Sequence, residues 1–397
     1  MREIRSSAAG TWVSVPDVKE IPPELWGREA FVPRPLPEDL GLASSTHRVS
    51  AGAQEALGRL DEAAVRLGDL SSESPLVRST QVREVQRSAS LDGVSGALLE
   101  VLAADLPGAR TAPLMEARLA RYVRASDTAF EAARRGVPVD TGLMCAIAAS
   151  FAEDTATPDG VWRQEYTWLS GTVASGRPLL LAPPPGPDGV AGLEQFVTWA
   201  GSELDLSLVV RLALAHYQLE VSQPFALGNG HIARLFVSAE LARTGVLRGQ
   251  VLPISTWIDD HKQEYHDQIR RVADTGDYEP WIAFFGRGIQ EVCYRELALI
   301  GRLEAARVDI AARVSGRNTG NIRKIVADLV ATPVTNHRLI HERLGITRKN
   351  AGELCKRLVA DGVLAALDDK TYGRAYYSPE LIRLLSLIDP VTCDSAD

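Results

Sequence analysis

Apolar residues along most of the chain recur every three or four positions, the spacing that lines them up on one face of an α-helix. Leu57, Leu60, Ala64 and Leu67 mark an amphipathic helix over Ser50 to Leu70, and Leu76 to Arg87 continues the pattern after Pro75. Further helical periods run over residues 114 to 135, Asp140 to Phe151, Gly192 to Ser202, Asp259 to Val272 and Tyr278 to Arg302, with Leu252 to Ile258 read as a connector. Leu204 to Val221 is apolar nearly all round, the mark of a buried helix. Ile232 to Arg243 is helical again and stops at Gly245. Two stretches depart from this rhythm. Residues 16 to 40 carry Pro16, Pro22, Pro23, Pro33, Pro35 and Pro37, which forbid a regular helix and imply an extended arm over the surface. Residues 157 to 168, with Pro158-Asp159-Gly160 amid β-branched and aromatic residues, predict a short hairpin. Pro183 to Pro187 is a rigid loop after it. The fold class expected is mainly α with one small β element.

Between the two helices ending at Val221 and starting at Ile232 lies Ser222-Gln223-Pro224-Phe225-Ala226-Leu227-Gly228-Asn229-Gly230-His231. Gly228-Asn229-Gly230 lets backbone N–H groups converge at the mouth of the second helix, where the helix dipole favours an anion. Arg234, one turn on, adds a cation able to grip a phosphate in bidentate fashion. The alternative is an ordinary glycine-rich helix–helix turn with a surface arginine. His231 admits three readings: a phosphate ligand, a relocated acid–base group, or an exposed histidine at a helix start. His216 lies about 10 Å back along the preceding helix, too far for the same task.

Composition narrows the class without changing this picture. A chain of 397 residues with 45% hydrophobic and 24% charged residues can build two or three globular domains. Its bias to Ala, Leu, Arg and Gly fits GC-rich, bacterial coding DNA. Cys145, Cys293, Cys355 and Cys393 form no closely spaced pair, so reduced thiols in a cytoplasmic protein are expected, with no metal centre. No apolar run approaches a membrane span, and Met1 to Gly10 lack a signal-peptide core.

The loop resembles the signature of the Fic family, His-Pro-Phe-x-Asp/Glu-Gly-Asn-Gly-Arg-x-x-Arg. Pro224, Phe225, Gly228, Asn229, Gly230 and Arg234 match it. Gln223 stands at the His, Leu227 at the acidic residue and His231 at the first Arg. In that family the His is the base that activates a target hydroxyl for attack on the α-phosphate of ATP, the acid holds Mg²⁺, and the arginines handle the triphosphate. An amide takes no proton near neutral pH and Leu227 offers Mg²⁺ no oxygen. The resemblance therefore implies a cradle for ATP or another nucleotide, with Mg²⁺ binding and AMP transfer in doubt. Gln223 and His231 are the candidate reactive residues, and Gly228, Asn229, Gly230 and Arg234 the candidate ligand-binding ones.

Two further stretches resemble parts of the same family. Ser88-Ala89-Ser90-Leu91-Asp92-Gly93 is similar to its inhibitory motif, Ser/Thr-x-x-x-Glu-Gly/Asn, with Asp92 for the Glu. The resemblance implies regulation by Ser88 and Asp92, the latter pairing with Arg234. The other reading is a helix end with a local polar cap. Gly160, Trp162, Arg163 and Trp168 fit the family's flap, which clamps a protein target by strand pairing. A plain hairpin, with its tryptophans in the core, is the competitor.

After Ser315 to Gly320, a candidate linker, residues 321 to 330, 335 to 344 and 348 to 360 read as helices, and Val363 to Ala365 and Arg374 to Tyr377 as strands. This order resembles a winged helix-turn-helix. Residues 317 to 375 hold 11 Lys and Arg against 6 Asp and Glu, a local +5 in a chain of −8. Arg348, Lys349, Lys356 and Arg374 would be the DNA contacts, though +5 is modest and packing against the main domain or a second subunit is favoured. The expected domains are an N-terminal arm and helical region (1–113), a Fic-like core (114–314) and a winged-helix unit (315–397). Three functions stay open: a diverged Fic protein binding a nucleotide or partner, an enzyme of altered chemistry on a small molecule through His231 or Gln223, and a DNA-binding regulator.

Overall fold

A computed structural model of the chain describes residues 5–68, 70, 75–93, 97–104, 106–107, 114–151, 161–169, 180–314, 319–367 and 373–386. The proline-rich arm is extended, as its sequence requires, and contributes strands at both ends. β1 (Gly10–Ser14) pairs antiparallel with β2 (Glu29–Pro33) in the register Gly10 opposite Pro33. Trp12 and Phe31 pack across that pair with ring centroids 5.1 Å apart.

The helices that follow form the body: α1 (Ser44–Leu67), α2 (Pro75–Leu91), α3 (Leu98–Ala104), α4 (Leu114–Arg134) and α5 (Thr141–Ala149). Asp140 caps α5 by accepting from the Leu143 N–H at 2.7 Å. The expected hairpin over 157–168 is not the pairing that forms among the described residues; its turn residues 158–160 lie outside them. Instead β3 (Trp168–Leu169) pairs with β4 (Leu180–Leu181), which runs parallel to β2, giving the order β1-β2-β4-β3.

α6 (Pro187–Gly201), α7 (Leu208–Ser222) and α8 (Asn229–Arg243) come next. α7 begins at Leu208 rather than Leu204 because the Ser207 hydroxyl caps the Val210 N–H. From Val209 to Val221 it is buried at almost every position, and α8 is buried from His231 to Ser238. The stretch read as a connector is a short helix, α9 (Ile254–Asp260), entered through Pro253; its seven residues are too few to display a period. α10 (Lys262–Thr275) follows, then α11 (Glu279–Arg313), which runs eleven residues past its expected end and packs along α1.

α2 is unusual in burying polar residues along its length. Arg83 forms a bidentate pair with Glu296 of α11 at 2.8 and 2.6 Å. Glu84 accepts from the Ser255 backbone and hydroxyl of α9 at 2.9 and 2.5 Å, and Arg87 reaches Asp259 at 2.9 Å. Burial raises the Glu84 carboxyl to about 7, against the opposing pull of the Ser255 bonds. These bonds fix the rotation of α2, so that Ser88 and Asp92 at its far end are aimed at α8.

The last part comprises α12 (Thr319–Ala331), β5 (Val334–Asn336), α13 (His337–Leu344), α14 (Arg348–Ala360), β6 (Ala365–Ala366), β7 (Ala375–Tyr377) and α15 (Pro379–Ser386). The strands form an antiparallel sheet in the order β5-β7-β6. Thr335 and Asn336 belong to β5 rather than to a helix, because Asn336 is the cap of α13, accepting from Leu339 N–H at 2.8 Å. Arg348 and Lys349 are exposed at the start of α14, and Lys356 pairs with Glu353 at 3.0 Å. No described helix is long and apolar enough to cross a membrane.

Removing one partner of a buried ion pair leaves an uncompensated charge. Glu296→Ala is therefore expected to destabilise the fold by about 3–5 kcal/mol, read as a lowered midpoint in urea melts, whereas Arg66→Ala, on the exposed face of α1, should change stability by no more than about 0.5 kcal/mol.

Candidate functional site

α7 ends at Gln223, whose φ of 40° and ψ of 60° put it in the left-handed region; it is the one non-glycine residue with positive φ among those described. That conformation costs roughly 1–2 kcal/mol and persists because its surroundings impose it. Arg163 is the chief restraint. Its Nε donates to the Gln223 carbonyl at 2.8 Å, Nη1 to Glu165 O at 2.9 Å and Nη2 to Pro183 O at 2.9 Å. Arg163 is thus a buried strut of the loop. Burial lowers its pKa to about 10, which leaves it charged at neutral pH.

The rest of the loop is pinned in the same way. The Ala226 N–H donates to Val161 O at 2.8 Å, and Trp162 stacks on Phe225 at 5.6 Å. Asn229 clasps Phe225 from both sides, accepting from its N–H at 2.9 Å and donating to its carbonyl at 2.7 Å. Gly160, the remaining flap residue expected from sequence, lies outside the described residues. Gly228 then caps α8 with a φ of 76°, and a Cβ there would meet the Phe151 ring at 2.6 Å. The N–H groups of Asn229, Gly230 and His231 occupy the first turn, where no helical carbonyl precedes them. Gln223 and Arg234 are therefore on separate helices joined by a cup, not on one continuous helix.

Arg234 is 3% exposed and fully engaged. Nη2 donates to Asp92 Oδ1 at 2.9 Å and to the Ser88 carbonyl at 3.0 Å, Nε to Ser88 Oγ at 2.8 Å, and Nη1 to Glu220 Oε1 at 3.4 Å. Tyr122 donates its hydroxyl to the other Asp92 oxygen at 3.0 Å. Burial disfavours the guanidinium charge, but Asp92 and Glu220 outweigh it and raise the pKa. Asp92, shorter than the Glu of the motif it resembles, still reaches Arg234 because Gly230 gives way: a Cβ on Gly230 would lie 2.8 Å from the guanidinium and 3.1 Å from Asp92. Glu220 was not foreseen. The available signal was a lone carboxylate inside the apolar run of α7, which a buried helix tolerates only with a cation beside it.

His231 corrects all three of its readings. It is 1% exposed, so it is no surface histidine, and it lies beneath the loop rather than on the cavity wall, so it cannot touch a substrate there. Its Nδ1 hydrogen-bonds Ser88 Oγ at 2.6 Å, and the ring packs edge-on against Tyr122 and Phe151 at 4.4 and 5.4 Å. Burial, reinforced by Arg234, drives its pKa well down and keeps it neutral. Its ring lines no part of the cavity, so only its backbone N–H belongs to the cup. His216, likewise buried, bonds the Tyr265 hydroxyl at 2.9 Å.

Above the cup opens a cavity of about 510 Å³, lined by Gln223, Leu227 to Gly230, Arg234, Asp92, Glu220 and the α10 residues Lys262, Tyr265 and His266. A larger one, of about 660 Å³, lies between α2, α4 and α13, away from the loop. Its arginines, Arg78, Arg134, Arg248 and Arg343, are each paired with a carboxylate. At the cup, the residues do not fit Mg²⁺. Leu227 is 55% exposed and offers no oxygen, while Asp92 and Glu220 are both committed to Arg234. No cluster of metal-ligating side chains occurs among the described residues.

The lowered pKa of His231 carries a stability consequence. The unfolded chain takes up a proton near pH ~6.5 that the fold refuses, so this contribution is present above that pH and lost as pH falls toward the folded value. His231→Asn should flatten the loss of stability between roughly pH 7 and pH 5 in urea melts; an unchanged slope would contradict the buried neutral state.

The Fic/DOC family model matches residues 138–241, the span that contains the loop and both flanking helices. Among curated relatives, the protein adenylyltransferase Fic of Drosophila mojavensis is 38% identical over 128 residues, 32% of this chain and 22% of its own. The protein adenylyltransferase fic-1 of Caenorhabditis elegans is 32% identical over 97 residues, 24% of this chain and 18% of its own. The chain thus spans about a fifth of the length of these relatives. In overall fold it is similar to a Fic family protein from Desulfovibrio desulfuricans, with a TM-score of 0.54 at 18% identity, over 86% of this chain and 98% of that one. With the pinned Gly-Asn-Gly cup at the start of α8, these matches make residues 138–241 of the chain a Fic/DOC-family domain.

Proposed function

We propose that the Fic/DOC-family domain of this chain binds a phosphate-bearing small molecule, a nucleotide first among candidates, in the cup of Gly228 to Gly230, and that it does not transfer AMP by metal-assisted attack of a hydroxyl. The observation that carries this reading is the contrast within one loop. Every feature that shapes the backbone is kept: Gly228 against Phe151, the Asn229 clasp and the Arg163 strut. The side chains that would move protons or hold a metal are absent, with an amide at Gln223 and a methyl-ended chain at Leu227. A cup of first-turn N–H groups needs neither to hold an anion.

Asp92 bears on the same reading. Its carboxylate lies against Gly230 at the mouth of α8, where an incoming phosphate would be held, and it neutralises the nearest cation. Ligand entry therefore competes with the grip of α2 on Arg234. Asp92 and Ser88 act as a brake on binding, which couples occupancy of the cup to the position of α2.

Titration calorimetry with ATP, ADP and AMP tests the reading. Binding is expected in wild type without Mg²⁺, and Gly228→Val, which drives a side chain into Phe151, should abolish it. Asp92→Ala should tighten binding about tenfold, or ~1.4 kcal/mol. Labelled ATP with Mg²⁺ should leave no AMP on protein hydroxyls, and transfer by the wild type would overturn the second half of the proposal. Restoring Gln223→His together with Leu227→Asp in the Asp92→Ala background should create transfer.

A further inference from the structure

We infer that the molecule held in this cavity carries a second acidic group, received by Lys262 and His266 of α10, on a different element of the lining from the Gly228–Gly230 cup. The inference rests on the anion-binding reading of the cup and adds the class of ligand: a small molecule with phosphate or carboxylate at two separate ends.

Lys262, Tyr265 and His266 stand at positions i, i+3 and i+4, so one face of α10 turns all three to the cavity. Tyr265 is already occupied, its hydroxyl bonded to His216 at 2.9 Å. The other two are not. Lys262 forms no ion pair with any described residue, although it is only partly exposed. His266 is 4% exposed, yet its Nδ1 has no hydrogen-bond partner among the described residues. A buried ring nitrogen without a partner carries an uncompensated loss of hydration, which a bound group would remove.

The charges around this wall decide what that group is. Lys262 faces His266 from one side and Arg234 from the other, opposed only by Asp267, to which Gln263 donates at 2.9 Å. Burial first, then Lys262, holds the imidazole uncharged, down to about 4, so it presents an N–H donor rather than a second cation. The two carboxylates in the cavity cannot neutralise Lys262, because Asp92 and Glu220 are bound to Arg234. An unneutralised ammonium beside a neutral donor suits an anionic oxygen. The cup, built from α8 rather than α10, lines the same cavity of about 510 Å³ and suits another.

The experiment uses the full chain and two probes: a hexose monophosphate, and the hexose bisphosphate that adds a phosphate at the other end of the carbon chain. By calorimetry the bisphosphate should bind at least about tenfold more tightly than the monophosphate. Lys262→Met should erase that difference while leaving monophosphate affinity unchanged. The His266 imidazole, followed by NMR in wild type, should titrate at higher pH with the bisphosphate bound and not with the monophosphate. Equal affinity for both probes, with no effect of Lys262→Met, would overturn the second subsite while leaving the cup intact. Failure of either probe to bind, with nucleotides also silent, would remove the cup and this inference together.

Discussion

A single buried guanidinium organises the site. Arg234 sits on α8, yet its donors reach two other helices, Ser88 of α2 with Asp92 just past its end and Glu220 of α7, while Tyr122 of α4 steadies Asp92. A charge so deep is tolerable only while those acceptors remain, and loss of one leaves several kcal/mol of unmet solvation. The helices cannot shift independently. Any motion that takes Arg234 from α2 must supply a replacement anion at the same moment.

The loop obeys a different economy. Its shape does not rest on the residues that would do chemistry but on a frame outside them: Arg163 from below, Val161 and Trp162 alongside, Phe151 against Gly228. This separation explains how the reactive positions can change while the backbone persists. Gln223 holds its left-handed conformation through its carbonyl, which Arg163 grips, and its side chain takes no part in that bond.

Much of this was legible in the residues. The glycine spacing announced the cup, and the inhibitory-like hexapeptide predicted the meeting of Asp92 with Arg234, found at 2.9 Å. Helices with strong periods or good caps, such as α5 and α14, fell where the pattern put them. What stayed hidden was burial imposed from a distance. His231 and Arg163 look like surface residues beside glycine and a turn, and only packing against Tyr122, Phe151 and the Pro183 loop puts them inside. α9 was missed because seven residues after a proline hold too little pattern. The end of α11 was missed because Leu303, Ala306 and Ile310 are a thin apolar stripe amid charged residues, buried by partners later in the chain.

Gly230 has a consequence beyond the fit of one ion pair. The space its missing methyl leaves is filled by Asp92 and Arg234, which a Cβ there would meet at 3.1 and 2.8 Å. A larger residue would wedge the guanidinium away from its carboxylate, so the end of α2 can lie this close to the start of α8 only while the position stays a glycine. A change confined to α8 would thus loosen a helix that begins about 150 residues earlier in the chain.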